Sequence, residues 1–226
     1  MAHPLDITYS IPLEREYEAW IIRGIEQYFQ SIGKSIAVWA VSPVDEVNWP
    51  ADESMIIGTK LIGLQMKKVD YICNGSNPRK FGRLRWSFHN PPGQYDLVST
   101  FPEIYYCLPT FLNRNIKEEA LSHCLFWRPD PSKRDLNAWY DNPQAHTPYK
   151  AIGTSARWGK FLEDIVDCSI GKKVDNLDDA KSYISSLVGY MREVSDIPLE
   201  KLDTQLDNFE KSREPNVYLF AVPVNS

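Results

Sequence analysis

Nine residues, Leu61 to Val69 (LIGLQMKKV), constrain this chain most: they read as an apolar β-strand that nevertheless carries a glutamine and a lysine. Because side chains alternate across a strand, Ile62, Leu64 and Met66 share one face, while Leu61, Gly63, Gln65 and Lys67 share the other. Gln65 and Lys67 therefore point the same way. On a solvated strand face such a pair is ordinary; beside a carboxylate it becomes a constellation for chemistry. Asp52 and Glu53 lie just upstream, ahead of the apolar run that makes Ser54 to Gly58 a strand. A short Gly58-Thr59-Lys60 turn then gives an antiparallel hairpin, which brings Asp52 toward the Gln65 and Lys67 end of the next strand. Gly63, on the same face, either lets a phosphate backbone approach or marks a bulge.

The flanking patterns supply a fold around this strand. Tyr17, Trp20, Ile21, Ile25 and Phe29 recur at helical spacing over residues 14–32, with acidic residues in the first turn and Gly33 after the last. Strands follow at 36–42, 54–58 and 61–69, then a loop-rich stretch around a short strand at 83–88. A helix at 94–101 and a strand at 103–111 complete the order helix, three strands, helix, strand. Leu121 to Arg128 adds another strand, and the Pro-, Asn- and Asp-rich residues 129–151 read as a surface excursion. Helices at 155–168 and 177–192, the latter capped by Asn176, and a closing strand at 217–222 finish the chain. The reading is an α/β fold with a central mixed sheet: a core over residues 1–128, and a helical extension with a closing strand over 129–226, packed on the same domain.

With 43% apolar residues in 226, disorder over the whole length is excluded. No apolar run approaches the roughly 20 residues that span a bilayer, and the N-terminus lacks an export pattern, so the expectation is a soluble cytoplasmic protein without a membrane partner. Cys73, Cys107, Cys124 and Cys168 show no paired zinc spacing and read as reduced, buried filler. The abundant aromatic residues suit a core or a subunit interface, as in a homo-oligomer or a protein complex. His123 beside Cys124 makes a poor dyad, since neighbours on a strand face opposite ways.

Net charge is −5, yet residues 61–134 carry 11 basic and 6 acidic side chains, so the middle third is basic. Within it, Arg79, Lys80, Arg83 and Arg85 interleave with Phe81 and Trp86, a pattern that offers a polynucleotide phosphate-binding cations and a stacking surface. A carboxylate, an amide oxygen and an ammonium together suit metal-assisted phosphodiester hydrolysis. Mg²⁺ takes oxygen ligands and keeps several waters, and a nearby lysine can orient a water or stabilise the phosphorane oxyanion.

Asp52, twelve intervening residues and then Gln65-Met66-Lys67 on an apolar strand resemble the PD-(D/E)XK nuclease superfamily, in the variant whose second acidic position is Gln. Pro50 and the order of elements resemble its αβββαβ core over residues 14–111. The resemblance implies a restriction-endonuclease-like fold, Mg²⁺ or Mn²⁺ held by Asp52 and Gln65, and Lys67 as the catalytic lysine. Glu53 or Glu46 stands as the alternative carboxylate, and Glu18 as the first-helix glutamate that assists in some members. It further implies a nuclease cutting DNA in preference to RNA, an effector of a bacterial defence system. The alternative is a catalytically lapsed subunit of the same fold that binds nucleic acid or a protein.

Overall fold

The computed structural model describes residues 3–7, 10–41, 59–71, 80–90, 93–129, 146–153, 155–167, 169–194 and 217–223. They form an α/β fold around a central mixed sheet. Helix α1 (Glu14–Ser31) buries Tyr17, Ile21, Ile25 and Phe29, the stripe its spacing predicts. It ends at Gly33, whose φ of 71° is a left-handed conformation suited to glycine, and the Lys34 N–H then donates to the Phe29 carbonyl at 2.9 Å.

The sheet runs β1 (Ala37–Val41), β9 (Val217–Pro223), β2 (Thr59–Met66), β5 (Ile104–Pro109) and β6 (Cys124–Trp127), with β8 (Lys172–Val174) pairing alongside β2. β2 and β5 are parallel, connected through helix α2 (Gln94–Thr100), and the other pairings are antiparallel. Leu61 to Met66 are all buried, because both edges of β2 are paired and both faces covered.

Helix α3 (Trp158–Val166) covers one face, where Phe161 meets Tyr105 and stacks on Phe126 with centroids 4.3 Å apart. Trp158 carries this layer across to Tyr28 and Phe29 of α1. On the other face Tyr106 stacks on Phe88, and α2 packs against α4 (Leu177–Val194) through Phe101 and Tyr190. Asn176 caps α4 by accepting from the Asp179 N–H at 2.9 Å, as expected. Two basic side chains from elsewhere satisfy helix C-termini: Arg128 donates to the Val98 and Ser99 carbonyls of α2, and buried Lys60 to those of Ile165 and Ile170 around the end of α3.

Three local expectations are corrected. Thr59 and Lys60 are not a turn: they belong to β2 and pair with Pro223 and Val222 of β9. Leu61 to Leu64 take β9, not the preceding segment, as their antiparallel neighbour; the expected strand 54–58 lies outside the described residues. Within the expected excursion, Thr147–Pro148 is a short buried strand, β7, pairing with β4 (Leu84–Trp86). With β3 (Asp70–Tyr71), these make a second, three-stranded sheet.

Candidate functional site

The lysine-bearing strand ends at a buried lysine that feels two carboxylates of α1. Lys67 continues the parallel ladder one residue beyond β2, its N–H donating to the Cys107 carbonyl at 3.2 Å. Its side chain is 2% exposed, and the ammonium donates to the Asn90 carbonyl at 2.6 Å. Burial lowers its pKa to about 8, against a partial opposing pull from the carboxylates of Glu14 and Glu18. Those two acids stand one turn apart on α1. Glu14 Oε2 also accepts the Lys68 N–H at 3.2 Å, tying the start of the helix to the end of the strand.

Gln65 shares the Lys67 face by alternation and lies opposite Tyr106 in the parallel register. It is likewise 2% exposed: its amide nitrogen donates to the Met66 carbonyl at 3.3 Å, while its Oε1 is buried without a partner. An orphaned amide oxygen is costly, on the order of 1–3 kcal/mol. It also has the donor chemistry that a hard cation or an ordered water takes. Gln94, the first residue of α2, buries a second unpartnered amide oxygen.

Glu18 reaches the region from the other side. Its Oε2 accepts the Tyr218 hydroxyl at 3.1 Å, and Tyr218 stands opposite Leu64, hence on the face that Gln65 and Lys67 do not share. Burial raises the Glu18 pKa, and the Tyr218 hydrogen bond opposes that rise. Glu18 therefore acts on Lys67 through its field. Gly63 serves neither of its expected purposes. A Cβ there would lie 2.9 Å from Ile104 Cγ1 and 3.0 Å from Val217 Cγ1, so the absent side chain lets two neighbouring strands pack.

Asp52, Glu53, Glu46 and Arg79 lie outside the described residues, as do Cys73 and Cys168. Among the described residues, no group of three or more His, Cys, Asp and Glu side chains could hold a metal ion. Gln65 fits one as a single oxygen donor. Of the basic set, Lys80 is exposed, and Arg83, at the end of a 3₁₀ turn (Phe81–Arg83), and Arg85, on the small sheet, are half-buried beside Leu84 and Trp86. His123 pairs loosely with Glu119, and Cys124 donates to the Ala120 carbonyl, so these two neighbours form no dyad.

The sequence reading missed Glu14, Asn90 and Tyr218. Glu14 and Glu18 carried a signal, carboxylates four apart on one helix face. Asn90 carried none, because its backbone carbonyl is what binds, and Tyr218 enters only through pairing across 154 residues of chain, from Leu64 to Tyr218. No helix of the described residues is long and apolar enough to cross a membrane. No protein-family model, curated protein or solved structure matches this chain.

Proposed function

We propose that this protein is a metal-dependent phosphodiester hydrolase acting on nucleic acid, DNA in preference to RNA, with Lys67 as its catalytic lysine. One observation carries the reading: an ammonium is held inside the fold at the end of the central strand, with its pKa brought to about 8. Gln65, two residues before it, presents an uncommitted oxygen on the same face. Structural economy argues against keeping a buried lysine there, since hydrocarbon would fill the space at less cost; perturbed groups of this kind cluster at functional sites. Gln65 and Asp52 would hold Mg²⁺ or Mn²⁺, which supplies an acidified water and charge neutralisation at the phosphate. Lys67 donates to the developing oxyanion, and Glu14 and Glu18 hold it charged against desolvation. Buried, unbridged Cys107 and Cys124 support a cytoplasmic setting.

Incubation with plasmid, linear and single-stranded DNA and RNA in Mg²⁺ or Mn²⁺ tests this. Cleavage is expected, falling about 100-fold or more in Lys67→Ala, the scale of losing one oxyanion donor. Equal cleavage by wild type and Lys67→Ala overturns the assignment. A second reading, a lapsed nuclease fold that binds without cutting, draws on the near-complete enclosure of Gln65 and Lys67 and on the bond already tying Lys67 to Asn90. Salt-sensitive DNA binding without cleavage in either metal would select it.

A further inference from the structure

Resting on that reading and extending it, we infer that the polar face of the small sheet is a binding surface for the phosphodiester backbone, with Arg83 and Arg85 as its donors. Leu84 and Trp86 are fully buried in β4, whereas Arg85 between them and Arg83, the last residue of the short 3₁₀ turn (Phe81–Arg83) that leads into the strand, are half-buried. Arg83 Nη1 and Arg85 Nε are both buried without an acceptor. Asp70 stands directly opposite Arg85 in the register and is placed to neutralise it. Its Oδ2 is instead taken by His146 Nδ1 at 2.9 Å, ahead of β7 on the far side of the sheet.

Two guanidinium groups two positions apart thus concentrate positive charge at the entry to β4, while each hides an unmatched N–H. An anion that reaches the exposed parts of both half-buried guanidinium groups neutralises them together. Phosphate suits this best, because the planar guanidinium fork matches its oxygens in pairs. A phosphodiester backbone is favoured over an acidic peptide by continuity. The chain leaves β4 at Trp86 and reaches, at Asn90, the carbonyl that holds the Lys67 ammonium, so one strand and its following loop serve both places.

The test is fluorescence anisotropy of the full chain with a labelled single-stranded oligonucleotide in EDTA, where cleavage cannot occur. The double variant Arg83→Gln/Arg85→Gln is expected to bind about tenfold or more weakly and to flatten the slope of log affinity against log salt by about 1.4. Arg23→Gln, on the outer side of α1, binds as wild type. Inorganic phosphate is expected to raise the wild-type melting temperature relative to chloride of equal ionic strength, and to do so less in the double variant. Should the double variant fail to fold, Arg83→Lys and Arg85→Lys keep the charge but lose the fork, and each should weaken binding several-fold. Unchanged affinity in these variants, no phosphate shift in the wild type, or equal binding of polyglutamate overturns the proposal. Lys67→Ala separates the two readings. Lost cleavage there with normal binding by the arginine variants overturns this surface alone, and undiminished cleavage there with lost binding by them overturns the assignment of Lys67 alone.

Discussion

An ammonium has three N–H bonds to satisfy, and Lys67 spends one of them on the Asn90 carbonyl while lying 2% exposed. Its pKa falls from 10.5 to about 8, which corresponds to roughly 3 kcal/mol withheld from folding while it is charged. Between about pH 8 and 10.5 the unfolded chain binds the proton that the folded chain has released, so this group makes stability rise with pH across that window; below about pH 8 its cost is fully present. Lys67→Met should therefore unfold at higher urea concentration than wild type at pH 7, with the advantage closing by about pH 10.5. A variant equally weakened at both pH values would mean that the packing of the side chain and its bond to the Asn90 carbonyl, not its charge, set its effect on the fold. Glu18 is the counterpart. With its pKa raised by burial, its charge costs stability as pH climbs out of the acid range. Glu18→Gln keeps an acceptor for Tyr218 and removes the charge, so it should stabilise the chain at neutral pH and leave acid stability unchanged. Because Glu18 helps hold the Lys67 proton, the same variant should move the Lys67 titration below its wild-type position, read from the lysine ¹³Cε shift. An unmoved titration would disprove the coupling.

Individual elements were legible where periodicity is local. The α1 stripe, the Asn176 cap and the strands at β1, β5, β6 and β9 follow from spacing alone. Pairing was not, since it depends on which distant segment fits an edge. The alternation of Leu61 to Lys67 puts Gln65 and Lys67 on one face, but alternation cannot say whether Gln65 meets water or the neighbourhood of Tyr106 and Phe88. Gly63 shows what the neighbours demand. Ile104 on one side and Val217 on the other close over it, and both belong to strands that cannot retreat without breaking the ladder. Gly63→Ala should thus be destabilised by about 1–3 kcal/mol, the range for overpacking a filled core, read as a lowered urea midpoint with an unchanged slope. A midpoint equal to wild type would show that the sheet yields there.

At the scale of the molecule, the last described strand is an interior one. β9 lies between β1 and β2, pairing with Val41 at its start and Thr59 at its end, so the tail supplies part of the sheet's centre. β8, also from the tail, takes the other edge of Thr59 to Leu61. Remove residues beyond 128 and β1 loses its only partner among the described strands, while one edge of β2 opens along Thr59 to Leu64. The unpaired N–H and C=O groups would then sit beside a hydrocarbon face that α3 and α4 no longer cover, a combination that favours unfolding or aggregation. Expressed alone, residues 1–128 should lack a cooperative thermal transition and be degraded quickly by protease, whereas the whole chain unfolds as one unit. Mixing the fragment with residues 129–226 should restore a cooperative transition, because the missing strand need only be present, not covalently joined. A sharp transition in 1–128 by itself would show that β1 and β2 find another arrangement, and the central position of β9 would then not be what the fold requires.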